Sequence, residues 1–344
     1  MNKTIFAGCL AMACILPAHA GPALDVLATP AAASPLAQRA LVNGLAAAGK
    51  RLVAVGQRGH IMYSDDHGAS WVQARVPVAS DLTAVNFPTP QLGWAVGHDG
   101  VVLHSSDAGA NWVLQLDGRK AAQAMAAHYE RSGEARLLDE ARRMVEQGPD
   151  KPFLDVWFRN ASQGYAVGAF GLLFATTDGG KSWQPLMHAA DNPRGLHLNA
   201  IRGIGDALYV AGEQGLVLRM GAGQERFAAI PTPYQGSYFG IVGTPQAVVA
   251  FGLRGNAFRS TDGGASWQKV ATRVPAGLTA GAVLSGERLV LVSQGGHVLA
   301  SADHGATFVP MAASPGHAAA VLSDGKDGLV IGGARGLRQQ QVKQ

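Results

Sequence analysis

Apolar residues in this chain fall in short runs, cut apart by Gly, Asp, Ser and Pro. One stretch shows the plan. Asp81 to Phe87 alternates apolar with polar, Gly93 to Val96 and Val101 to Ser105 are mostly apolar, and Trp112 to Leu116 follows a polar turn. Runs of this kind bounded by turn residues predict antiparallel strands. Lys120 to Glu146 breaks the pattern. It is rich in Ala, Arg, Glu and Met and nearly free of β-branched residues, which is helical composition. Leu137, Leu138, Ala141, Met144 and Val145 recur at helical steps and predict one apolar face, with Asp139 and Arg143 pairing on the other side. Ser132-Gly133 divides the segment into two helices, and Gly148-Pro149 stops the second.

Two motifs ride on the strand pattern. The first is hydroxyl-x-Asp-x-Gly-x-x-aromatic: Ser64/Asp66/Gly68/Trp71, Ser105/Asp107/Gly109/Trp112, Thr176/Asp178/Gly180/Trp183, Ser260/Asp262/Gly264/Trp267 and Ser301/Asp303/Gly305/Phe308. The second is a G-x-x-G step closing an apolar run. Its second Gly falls at 59, 100, 171, 215, 255, 296 and 336, so the spacings are 41, 71, 44, 40, 41 and 40. Seven repeats of four-strand size are the sequence sign of propeller blades. The interval of 71 contains the helical segment. The prediction is an all-β, seven-bladed β-propeller over 21–344, with a helical-hairpin insertion at 117–150 between blades 2 and 3. The fourth repeat has lost its Asp motif and keeps only an aromatic at the end of Met220 to Phe227. The last repeat has three strand candidates, Ala318 to Leu322, Gly328 to Ile331 and Leu337 to Gln341. Ala23 to Ala28 is the expected fourth strand that closes the ring, because closure removes an exposed sheet edge.

Composition narrows the function. Net charge is +4 with 15% charged residues, and no Lys/Arg cluster of the kind nucleic-acid binders carry is visible. Lys3, the apolar run Ile5 to Leu16 and the Ala18-His19-Ala20 site predict a signal peptide over 1–20, cleaved after Ala20. No apolar stretch of spanning length follows. Export to the periplasm or beyond is the expectation, with lipidation at Cys14 as a lesser alternative. Both cysteines, Cys9 and Cys14, lie before residue 21, so no thiol, disulfide or Cys metal site is expected afterwards.

The Asp motif has a structural logic. Asp accepts backbone N–H groups across a tight turn, Gly supplies an unusual φ, and the aromatic buries area against a neighbour. Copies spread around a ring cannot share one active site. The histidines show no H-x-x-x-H or H-E-x-x-H spacing, so no metal site is predicted. His67 and His304 fall inside the motif turns, where exposure is expected, and His60 and His297 follow G-x-x-G glycines.

These turns resemble the Asp-box, or BNR, repeats of sialidases and other propellers. The ordered series, G-x-x-G-x-[VIL] leading into S/T-x-D-x-G-x-x-W, resembles the photosystem II stability/assembly factor family of seven-bladed propellers. The run Gly148-Pro149-Asp150-Lys151-Pro152, Leu154 to Phe158, then Gly168 to Gly171, resembles its bacterial members outside photosynthetic lineages. The resemblance spans about residues 39–338. It implies a non-enzymatic scaffold that aids assembly of a membrane protein complex, with an arginine-bearing face as the docking surface. The loop before the second Gly matches that face and carries Arg58, Asp99, Phe170, Gln214, Arg254, Gly295 and Arg335 in blade order. Arg58, Arg254 and Arg335 are the candidate partner-binding residues, with blades seven and one adjacent. Arg suits carboxylate and phosphate recognition through its planar fork. No catalytic residue, cofactor or metal is assigned. The alternative is a sialidase-like glycoside hydrolase. Against it, the Arg-Ile-Pro signature of that class is absent, and four of the seven Glu beyond residue 20 (Glu130, Glu134, Glu140 and Glu146) lie in the helical segment. A small ligand in the central channel is the third possibility.

Overall fold

The computed structural model describes residues 25–311, 316–326 and 328–341. Its strands form seven antiparallel sheets in chain order, six of four strands and a last one of three. The first sheet pairs Val42–Ala48, Arg51–Gly56, Ile61–Ser64 and Val72–Gln73. The others follow at 82–116, 153–185, 198–230, 238–270, 278–310 and 320–341. Each sheet's first strand contacts the first strand of the next, and that of sheet seven contacts that of sheet one. Predicted strand limits in the second repeat hold to within a residue, since Leu82–Asn86, Gly93–Gly97, Val102–Ser105 and Val113–Leu116 are the strands found.

Burial explains the apolar runs. Second strands such as Leu208 to Gly212 and Ala247 to Gly252 are buried at every position, because a sheet lies over each face. The core consists of side chains interleaved between adjacent sheets. Between sheets one and two, Val53, Val55 and Ile61 meet Leu82, Ala95 and Trp112. Trp94 stacks on Phe158 of sheet three at 3.7 Å.

The first strands share a device that the sequence did not announce. In sheets one to six, pairing to the second strand slips by one residue near the start of the first strand. The bulged residues are Asn43, Thr83, Leu154, Asn199, Phe239 and Thr279. A bulge re-aims its side chain, and four of these donate to the next sheet's first strand or its approach. Asn43 Nδ2 donates to Leu82 O at 2.9 Å, Thr83 Oγ1 to Phe153 O at 2.8 Å, Asn199 Nδ2 to Tyr238 O at 2.7 Å and Thr279 Oγ1 to Ala318 O at 2.7 Å. Between sheets three and four, buried Asp155 accepts Ile201 N at 2.8 Å and an Arg202 guanidinium N–H instead.

Two helices occupy the chain between sheets two and three: α1, Gly118–Ser132, and α2, Ala135–Gln147. Asp117 caps α1 by accepting Arg119 N at 2.9 Å and Lys120 N at 3.0 Å, an arrangement worth about 1 kcal/mol. Gly133 ends it in the left-handed region, φ 75°. The apolar face is narrower than predicted. Leu137, Ala141 and Met144 are buried with Met125 and Tyr129 against sheets two and three, but Val145 is 49% exposed. The expected Asp139–Arg143 pair is also replaced. Arg143 meets Glu140 at 3.4 Å, one residue closer on the same turn-to-turn row.

The N-terminal expectation is overturned where it can be seen. Ala23 and Leu24 lie outside the described residues, and 25–28 form a turn rather than a strand. Val26 O accepts Ala79 N at 2.8 Å, Ala31 N donates to Val76 O at 3.1 Å, and Leu27 is buried with the sheet-one and sheet-two side chains. The segment straps the link between sheets one and two. It then meets sheet seven through the short 3-10 turn Ala37–Arg39 against Gly336–Gln341.

Candidate functional site

The five Asp-motif turns are occupied by their own bonds. In the third, Thr176 Oγ1 donates to Asp178 Oδ1 at 2.8 Å and accepts Gly180 N at 2.9 Å, while Asp178 also takes Ser182 N at 3.0 Å and Ser182 Oγ at 2.6 Å. The Ser182 hydroxyl, then its N–H, holds the Asp178 carboxyl down at about 2. Asp66 is held at about 2 by Ser70 in the same way. These carboxylates are turn braces, with their lone pairs already engaged. The fourth sheet manages without one, since Gln224 Oε1 accepts Gly221 N at 2.7 Å and Phe227 is fully buried.

His67 and His304 are not the exposed turn residues expected. Each reaches back to the preceding sheet: His67 Nδ1 lies 2.8 Å from Asp324 O, and His304 Nδ1 lies 3.2 Å from Thr244 Oγ1. His60 is buried beneath the N-terminal strap, which lowers its pKa. His297 Nδ1 sits 2.8 Å from Ser293 Oγ of its own turn. Neither His60 nor His297 lines the central cavity.

The arginine turns are built by their glycines. In sheet one, a Cβ on Gly56 would lie 1.9 Å from Leu41 O, and one on Gly59 would lie 2.1 Å from Val78 O. Gly59 also has φ 71°. Only glycine fits either place. Between them Arg58 is forced into the left-handed region, φ 56°, and its N–H donates to Asp81 Oδ1 at 2.7 Å. Arg254 repeats this in sheet five, φ 56°. Arg335 does not share that φ. Sheet seven pairs up to Gly333 and Gly336, and turns through Ala334 and Arg335. All three arginines are exposed, and none has an ion pair among the described residues. They occupy equivalent turns of sheets one, five and seven.

The helices flank the same set of turns. A Cβ on Gly100 would meet Gly118 Cα at 2.6 Å, and one on Gly118 would meet Asp99 O at 2.9 Å. Beside them, α2, Lys151, the Phe170 turn of sheet three and Arg194 enclose a cleft. Sequence reasoning missed Arg136, Lys151 and Arg194. They lie outside the repeats, so no equivalent position drew attention to them.

A second cavity runs along the first strands of all seven sheets, lined by Asn43, Thr83, Asp155, Asn199, Arg202 and Thr279 among others. Its polar groups are largely spent on the inter-sheet bonds. Burial raises the Asp155 pKa, opposed by Arg202. Among the described residues no cluster of His, Cys, Asp or Glu has the makings of a metal site, and no helix is long and apolar enough to cross a membrane.

Interlocked four-stranded sheets, braced by Asp-box turns and presenting arginines on second-to-third-strand turns, define an all-β protein of the propeller class. A family model described as Photosynthesis system II assembly factor YCF48 matches residues 135–271. Two solved structures, YCF48 bound to D1 peptide and YCF48 from Cyanidioschyzon merolae, each share 16% identity and a TM-score of 0.65. They cover 89% of this chain and 95% and 97% of their own. The WD40 β-propeller domain of Doa1 follows at 8% identity and TM-score 0.64, covering 91% of this chain and 95% of its own. No curated protein sequence matches. The family model covers residues 135–271, and the likenesses to solved structures show the propeller fold.

Proposed function

We propose that the chain is a non-enzymatic scaffold of the cell envelope. Its seven sheets close into a seven-bladed ring, with α1 and α2 as an insertion between blades two and three. The signal peptide is removed after Ala20, and the ring works in the periplasm, peripheral to the membrane, on a membrane protein complex. The observation that carries this reading is the set of exposed arginines without ion pairs, Arg58, Arg254 and Arg335, on equivalent turns. Holding an Arg in the left-handed region costs on the order of 1 kcal/mol, and two of the three are held there. A propeller of the same fold, YCF48, has been solved with a D1 peptide bound, which supports a protein as the partner class. The engaged carboxylates of the Asp-box turns favour no hydrolase reading.

The test is Arg58→Glu combined with Arg335→Glu, crosslinked in envelope membranes and recovered by pull-down. The variant should keep its circular dichroism and lose a partner that the native protein recovers. Recovery of the same proteins by both would refute the arginine face. Edman sequencing of the exported protein should begin at Gly21.

A further inference from the structure

The cleft beside α2 has the makings of a ligand site separate from the arginine turns. Its volume is about 130 Å3, close to the ~150 Å3 cavity that takes a benzene ring. It has room for one apolar side chain. Met125, Leu137, Met144 and Leu172 form its apolar wall, and all are buried.

The mouth is charged. Arg136, Lys151, Arg194 and Glu140 stand around it. Two of these are already neutralised, because Lys151 Nζ pairs with Asp150 at 2.8 Å and Glu140 with Arg143 at 3.4 Å. Arg136 and Arg194 have no carboxylate partner among the described residues, and Arg194 donates only to the neutral Gln214 Oε1, at 2.7 Å. Arg136 also sits in the first turn of α2, where the helix dipole disfavours a cation and favours an anion. Phe170 is 51% exposed beside them, with its ring 5.1 Å from Lys151 Nζ.

We infer that this cleft binds the C-terminal residue of an extended peptide. Its apolar side chain enters between α2 and Leu172, and its carboxylate is held by Arg136 and Arg194. The reasoning is one of size and charge together. A single side-chain volume is too short for a lipid acyl chain. Two guanidinium groups next to it, neither paired with a carboxylate among the described residues, match one carboxylate. A C-terminal residue is the peptide element that carries both features at adjacent atoms. Neither Arg58, Arg254 nor Arg335 lines the cleft, so this inference stands or falls apart from the arginine face.

The probe is an N-fluoresceinyl hexapeptide, Gly-Gly-Ser-Gly-Ala-Leu, read by fluorescence anisotropy on the full mature chain. Three forms are compared: the free acid, its C-terminal amide, and a free acid ending in Gly. The free acid ending in Leu should bind, and both others should weaken by about tenfold or more. Arg136→Glu with Arg194→Glu should abolish binding, whereas Arg58→Glu with Arg335→Glu should leave it unchanged. Equal binding of acid and amide, or no binding of the acid at millimolar protein, overturns the proposal. That comparison uses the native protein, so it decides even if a charge-reversed variant misfolds.

Discussion

Replacing Thr83 by Val removes one hydroxyl at nearly constant shape, and the expected consequence follows from its bonds. Thr83 Oγ1 is 2.8 Å from Phe153 O and 3.1 Å from Val96 O. Its single proton serves the shorter contact, which joins sheet two to sheet three. A net hydrogen bond is worth roughly 0.5–1.5 kcal/mol, and a carbonyl left dry costs up to about 3 kcal/mol. Thr83 lines the central cavity, where water can reach the freed carbonyl, so the loss should lie near ~1 kcal/mol. At about 2.1 cal/mol/K per residue, a chain of this size shifts its melting point by only roughly 1–2 °C per kcal/mol. The urea midpoint is therefore the better assay. Thr83→Ser, which keeps the hydroxyl, should stay near native. The same logic predicts a gain. Ala319 lines the cavity in sheet seven, and Thr279 already donates to Ala318 O one sheet earlier. Ala319→Thr would offer its hydroxyl to Val42 O, and should add about 0.5–1 kcal/mol. If Thr83→Val and Thr83→Ser unfold together, or if Ala319→Thr destabilises, the bulged residues are not inter-sheet latches.

Two further outcomes follow from the turns and the strap. Asp66 and Asp178 titrate in the fold at about 2 against an ordinary 3.8, so the native state holds them ionised. The stability they contribute is complete above the ordinary value and is lost as pH falls through the folded one. Acid unfolding followed by circular dichroism should show that loss between about pH 4 and 2. Asp178→Asn should lower stability at neutral pH and flatten part of the acid slope, and an unchanged slope would count against the brace. Leu27→Ala should cost about 2–3 kcal/mol in chemical denaturation, because Leu27 is 9% exposed within the core of sheets one and two. A neutral result would mean that the strap is not docked.

Legibility differed with the range of the interactions. The Asp turns were readable because the bonds their Asp and hydroxyl residues make span two to four residues, as in Ser64 Oγ to Asp66 Oδ1 and Gly68 N to Ser64 Oγ. Helix limits were readable for the same reason, with Gly133 and Gly148 closing α1 and α2. The choice of Glu140 over Asp139 as the partner of Arg143 was not, since both spacings face each other on a helix and side-chain packing selects between them. The strap failed for a different reason. Its short apolar run suggests a strand, and nothing local says whether it meets sheet seven or residues 76–79. His67 and His304 were misjudged because their partners, Asp324 and Thr244, lie on the preceding sheet.

Whatever repeats could be read from the chain alone: seven sheets of near-40-residue period, the turns that brace them and the G-x-x-G steps that close their apolar runs, against which the one helical segment stood out by composition. Repetition averages away local ambiguity, so weak signals become firm when they recur. Whatever occurs once or spans sheets was left to tertiary packing. That packing placed bulged Asn43, Thr83, Asn199 and Thr279 against a neighbour's carbonyl, folded the N-terminus as a strap, and brought Arg136 and Arg194 to one cleft from segments 58 positions apart. Those juxtapositions depend on the rotation from one sheet to the next, a quantity that no short window of sequence contains.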